Sequence, residues 1–305
     1  MSDHEIHDPR FEKLIIGHAK LEQLWTGSRW AEGPVYVPAA RQVLWSDIPN
    51  NRVLRFVEDD SSVSVFETSC GYQNGHALDH EGRVVACEHL GRRISRLDHD
   101  GVWRALATQF DGKRLNSPND VVVKSDGSVW FSDPTYGIDG FYEGVLARSE
   151  IGEALVFRLD PATGELEAVA RDRVRPNGLA FSADESLLYV ADTGETHVAD
   201  TPRAIHVYRV ATDGKSLSYD KVFAVCDNGF FDGFRVDLHG NLWASSADSV
   251  RAYAPDGTLI GRIRVPELVS NLCFGGRNRN RLYITAQTSL YAIYLNTHPA
   301  GWAPP

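Results

Sequence analysis

The sequence predicts an all-β fold, a six-bladed β-propeller whose ring is closed by an N-terminal strand completing the last blade. The first observation is a short phrase with a polar head that recurs six times: Glu32-Gly33, Asn74-Gly75, Asn119-Asp120, Asn177-Gly178, Asp232-Gly233 and Asn271-Leu272. Each head leads into an apolar run such as Val121-Val122-Val123 or Leu179-Ala180-Phe181. The second observation is that each phrase is answered by another apolar run, often around Trp or Tyr, as in Leu44-Trp45, Val129-Trp130-Phe131 and Leu282-Tyr283-Ile284. The third is the punctuation: Glu81-Gly82, Asp100-Gly101, Asp126-Gly127, Asp213-Gly214, His239-Gly240 and Asp256-Gly257 are hairpin signals. Repeats of roughly 40 to 50 residues built from β-type runs read as propeller blades of about four strands each.

The elements follow in order. Residues 1–19 read as an N-terminal tail, and the blades as 27–70, 71–115, 116–173, 174–228, 229–267 and 268–297, all in one domain of 305 residues. The last head leaves room for only three further strands, at 271–274, 281–286 and 289–295. An open blade would expose unpaired backbone groups, so the apolar stretch 21–25 is assigned as its outermost strand. Two intervals between heads, 119 to 177 and 177 to 232, are longer than the rest, and their extra residues fall at 134–153 and 193–204, each after a second strand. In a propeller that places both insertions over the face carrying the heads. The first, with Tyr136, Phe141, Tyr142 and Arg148, reads as a lid.

Composition narrows the function classes. With 43% hydrophobic and 24% charged residues the chain resembles ordinary globular proteins, and a net charge of −10 argues against nucleic acid or an anionic membrane surface as partner. The polar, acidic start and the lack of any apolar run of about 18 residues point to a cytoplasmic protein. Four cysteines without CxxC spacing read as core thiols. No Gly-x-Ser-x-Gly elbow occurs, and Gly214-Lys215-Ser216 has Arg209 where a phosphate-cradling loop needs Gly.

The heads open the strands around the central channel, so they form one inward ring, with Asp47, Glu88, Asp133, Asp192 and Ser246 as a second ring from the ends of the next strands. Carboxylates gathered in a partly dry channel need protons, hydrogen bonds or a cation. The first ring is all oxygen donors and amides, which suits one divalent ion of the hard class: Ca²⁺ first, with Mg²⁺ and Mn²⁺ alike and Zn²⁺ compatible. His76, two residues after Asn74, is assigned to the substrate side of the same mouth, with packing inside its strand as the alternative. For Asn74 and Asn271 the competing reading is that polar strand starts simply satisfy backbone groups.

The phrases Ala31-Glu32-Gly33-Pro34, Asn116-Ser117-Pro118-Asn119-Asp120, Trp130-Phe131-Ser132-Asp133-Pro134-Thr135-Tyr136-Gly137, Arg175-Pro176-Asn177-Gly178 and Phe231-Asp232-Gly233 resemble those of the senescence-marker-protein (regucalcin) and gluconolactonase family. The Asp-Pro-Thr-Tyr-Gly segment and Ala86-Cys87-Glu88-His89 are most similar to its bacterial gluconolactonase branch. The resemblance implies one catalytic divalent metal bound by Glu32, Asn177 and Asp232, with Asp232 also the acid/base and Asn119 holding substrate or water. Animal members carry an Arg two residues before that Asn, where this chain has Ser117. The expected reaction is metal-assisted hydrolysis of a small-molecule lactone such as glucono-1,5-lactone; beside Asn119, the positions of Asp133, Tyr136 and His76 near the mouth place them as expected substrate contacts. Another metal-dependent propeller hydrolase, acting on phosphotriesters or other esters, and a non-catalytic calcium- or partner-binding propeller are the alternatives.

Overall fold

Each polar head marks the start of an innermost strand, and the glycine behind four of the six explains why that phrase repeats. A Cβ at Gly33 would stand 2.0 Å from the carbonyl oxygen of Asn74, and one at Gly178 would stand 1.9 Å from that of Asp232. The head of one blade therefore leans on the backbone of the next, an approach only glycine permits. Four heads also sit at register shifts, between Glu32 and Val35, Gln73 and His76, Pro176 and Leu179, and Val269 and Asn271. A bulge at a strand start re-aims the side chain there, here toward the channel.

The structure, a computed structural model, describes residues 3–301. Six antiparallel sheets follow one another as blades of a propeller. Their innermost strands are Ala31–Val37, Gln73–Leu78, Val121–Val123, Pro176–Phe181, Phe234–Val236 and Val269–Gly275. The sixth sheet runs outward through Arg281–Ala286 and Ser289–Tyr294 to the N-terminal strand Glu22–Thr26, with Glu22 opposite Ala292 and Thr26 opposite Ser289. The ring closes in the way the three-strand remainder of the last repeat requires. Second strands carry the large core side chains: Trp45, Trp130 and Trp243 are fully buried and fill the spaces between neighbouring blades. All four cysteines are buried free thiols.

The expected N-terminal tail is corrected. His4–Ile6 is a fifth strand on the fifth blade, antiparallel to Leu259–Arg264. Glu5 pairs with Arg262 and Arg264, and burying that outer edge removes the unpaired backbone an exposed strand would offer. The turn Pro9–Glu12, capped by Asp8, then drops Phe11 into the core. A segment this short and polar carries no periodicity, and its one buried side chain among residues 3–12 is the aromatic ring of Phe11.

Candidate active site

Five of the six heads, Glu32, Asn74, Asn119, Asn177 and Asp232, line one cavity of ≈ 250 Å³ at the channel mouth. Trp30, Phe230 and Leu268 form an apolar wall, and Tyr136, Glu143, Thr193 and Thr196 come over it from the two insertions. The sixth head, Asn271, does not reach the cavity. Its Nδ2 donates to Glu32 Oε2 at 3.1 Å and its Oδ1 accepts from the Leu272 amide at 2.8 Å, so it serves as a strut behind Glu32.

Glu32 and Asp232 are the electrostatic centre. Burial, then the carboxylates of Asp232 and Asp120, push the Glu32 carboxyl well above the usual range. Burial, then Asp120 and Glu143, push Asp232 up as well, although hydrogen bonds from the Glu32 and Asn177 side chains pull the other way. The countercharge is thin: Arg235 stands 3.8 Å from Asp120 Oδ2. Glu32, Asn74, Asn119 and Asn177 are buried, whereas Asp232 keeps partial access to the cavity, the exposure a group exchanging protons with a bound molecule needs.

A divalent ion fits this set. Asn177 Oδ1 is buried with no hydrogen-bond partner, beside two carboxyls that burial would otherwise keep protonated. An unpaired amide oxygen and two carboxylates are the donors a hard cation takes. No cluster of three or more His, Cys, Asp or Glu side chains is disposed to hold a metal among the described residues, so a shell here depends on the amide.

The second ring is corrected. Asp47 Oδ1 accepts from the Arg29 amide at 2.9 Å, Asp133 Oδ2 from the Asn116 amide at 2.8 Å, and Asp192 Oδ1 from the Arg175 amide at 2.9 Å. These strand-end carboxylates turn back to hold the chain entering each blade, and none lines the cavity. Asp133, expected on the substrate, is fully buried, and burial pushes its carboxyl up to about 7. His76 is corrected too: its Nδ1 donates to the Gly33 carbonyl at 2.7 Å, its Nε2 lies 3.2 Å from Gln73 Oε1, and the residue lines a different cavity, of ≈ 340 Å³. It ties the first two blades together, which is the packing alternative.

The insertions meet over the cavity. The Tyr136 hydroxyl lies 2.7 Å from Thr193 Oγ1 and 2.9 Å from Thr196 Oγ1, and the Arg175 guanidinium sits 4.8 Å above the Tyr136 ring while donating to Asp139. Phe141, Tyr142 and Arg148 instead face outward, Phe141 at 75% exposure, so the apolar surface expected of them is not in the cavity. Ser117 bonds Pro134 O at 2.7 Å and the Gly137 amide at 2.9 Å, which pins the base of the first insertion. Arg114 is exposed and away from the cavity. Sequence reasoning missed Glu143, whose carboxyl burial raises to about 7. Its only signal was membership of an insertion over the mouth.

The family model described as SMP-30/gluconolactonase/LRE-like region matches residues 30–288. The chain belongs to this family. This gluconolactonase-family protein is 30% identical to a gluconolactonase of Zymomonas mobilis, over 95% of this chain and 85% of that one. It is 28% identical to a pentonolactonase of Haloferax volcanii, over 85% of this chain and 82% of the relative. A solved gluconolactonase from Xanthomonas campestris superposes with a TM-score of 0.89 at 38% identity, over 96% of this chain and 94% of that one. Among the described residues of this family member no helix is long and apolar enough to cross a membrane.

Proposed function

We propose that this family member is a cytoplasmic lactonase that hydrolyses sugar lactones such as glucono-1,5-lactone, with one divalent cation, Ca²⁺ first, held by Glu32, Asn177 and Asp232. The lactonase reading is supported by the family and by relatives named for lactone hydrolysis. The observation that carries the site is the unpartnered Oδ1 of Asn177, a residue beside two carboxyls whose burial disfavours their charge. The chemistry supplied by a bound ion is Lewis-acid stabilisation of the charge that develops on the lactone carbonyl oxygen, with displacement of the proton that burial keeps on the pair.

The chain's own residues do the rest. Asp232, the most accessible of the set, takes a proton from the attacking water as the new carbon–oxygen bond forms, and returns it to the ring oxygen as the ester bond breaks. The product is the open-chain hydroxy acid. Asn119, buried at the cavity wall, orients water and substrate through its amide. Tyr136, held by both threonines and capped by Arg175, offers a fixed flat surface to a sugar ring. Asn271 keeps Glu32 in place.

Glu32→Gln should weaken the ion by at least about tenfold, because an amide oxygen brings no net charge to a hard cation. Isothermal titration with Ca²⁺, Mg²⁺, Mn²⁺ and Zn²⁺ measures it; affinities equal to wild type would take Glu32 out of the shell.

A further inference from the structure

We infer that His89 is a positioning residue for substrate binding: its ring tethers the first insertion over the cavity and turns the Asn74 amide so that its carbonyl end faces the bound molecule. His89 is fully buried at the end of the second blade's second strand. Its Nδ1 lies 2.8 Å from the Glu143 carbonyl oxygen, which can only accept, so Nδ1 carries the proton. Nε2 is then the acceptor, and Asn74 Nδ2 donates to it at 3.4 Å. One imidazole in one tautomer thus fixes two cavity residues, Glu143 by its backbone and Asn74 by its side chain. With Asn74 Nδ2 committed to His89, Oδ1 is the end left for the cavity, an acceptor suited to a hydroxyl of the substrate.

Packing makes the tether tight. A Cβ at Gly137 would stand 2.4 Å from His89 Cγ, and one at Gly144 would stand 2.1 Å from Gly137 O, so the insertion folds flat onto the ring and onto itself. The Val145 amide donates to Gly137 O at 3.1 Å and closes the turn that presents Glu143. Ser117 holds the base of the insertion and His89 its crest. Burial keeps the ring neutral, its pKa lowered to about 4, so the tautomer is constant through the neutral range. None of these contacts involves Glu32, Asn177 or Asp232.

The kinetic part of the inference rests on the lactonase reading; the structural part does not. His89→Phe keeps the ring against Gly137 and removes both nitrogens. Hydrogen exchange of amides 137–145 should then accelerate at least about tenfold while the blade strands stay protected. KM for glucono-1,5-lactone should rise about tenfold, with kcat within about threefold of wild type and calcium affinity by calorimetry unchanged. His89→Gln, which still offers a donor and an acceptor, should recover most of the KM. Gly137→Ala, with His89 intact, should reproduce the loosened exchange and the higher KM, and the double variant should be no worse than either single one. Unchanged exchange at 137–145, or accelerated exchange with an unaltered KM, overturns the assignment. So does exchange rising equally in all blades, which would make His89 an ordinary core residue. A wild-type protein without lactonase activity would sink the proposed function and leave the exchange measurement deciding the tether.

Discussion

Asp232→Asn is expected to lower kcat for lactone hydrolysis by at least about 10²-fold even at saturating metal, since a positioned general acid–base is worth about 10²–10⁴. Asparagine keeps an oxygen toward the ion and nearly the same volume, so the variant still binds metal when enough is supplied, but it cannot take the proton of the attacking water. Asp232 stands out from the other heads because it keeps partial access to the cavity, because two further carboxylates, Asp120 and Glu143, add to the upward push of burial on its pKa, and because it touches both Glu32 and Asn177. Steady-state kinetics across a metal titration separate the two roles: a fall in kcat that persists at the plateau is the acid–base loss, and one that vanishes there is a ligand loss. A metal-saturated variant turning over at the wild-type rate contradicts the assignment.

Phe11→Ala destabilises the protein by about 3–5 kcal/mol, the usual cost of emptying a core aromatic site. The ring is fully buried, 5.8 Å from the Trp243 ring, and the ideal Cβ position at Gly261 lies 2.3 Å from its Cδ1. That cavity cannot collapse easily, because Gly261 belongs to the fourth strand of the fifth blade and Trp243 to its second strand, both fixed by their own pairing. Deleting residues 1–26 has a larger effect still: it removes Phe11 and leaves both Leu259–Arg264 and Ser289–Tyr294 as open edges, so loss of cooperative unfolding is expected. Removing 1–10 alone strips His4–Ile6 and the Glu5 ion pairs and already lowers stability. Denaturant titrations monitored by tryptophan fluorescence check the series. A Phe11→Ala protein within about 1 kcal/mol of wild type would mean that the N-terminal turn is not part of the core.

The propeller was legible because its constraint repeats: a close approach at four of the six inner strands selects a polar head and then glycine, as at Gly33 and Gly178. Ring closure by Glu22–Thr26 followed from counting strands in the last repeat. Side-chain direction was the part that periodicity did not carry. Asp47, Asp133 and Asp192 recur at the ends of three second strands, yet they satisfy backbone amides of the entering chain, a role that needs a carboxylate at the same position. Asn271 shares the phrase but has Leu272 where four other heads have glycine, and its amide turns to Glu32 instead of the cavity. Glu143 belongs to no repeat; it arrives at the cavity only because Ser117 and His89 fold its insertion inward. His76 reads the same in sequence whether it faces substrate or joins two blades, and its hydrogen bond to Gly33 decides for the latter.

In the proposed lactonase the carboxyls of Glu32 and Asp232 and the unpartnered amide oxygen of Asn177 would hold a divalent ion. The direct measurement is the initial rate of glucono-1,5-lactone hydrolysis, followed by acid release against the uncatalysed rate, before and after exhaustive chelation and after Ca²⁺, Mg²⁺, Mn²⁺ or Zn²⁺ is returned singly. Chelation is expected to cut the enzymatic rate at least about 10²-fold and one of these ions to restore it, in line with the several kcal/mol a Lewis acid contributes to the transition state. A protein shown by elemental analysis to be metal-free that still opens the lactone at its full rate would contradict the account.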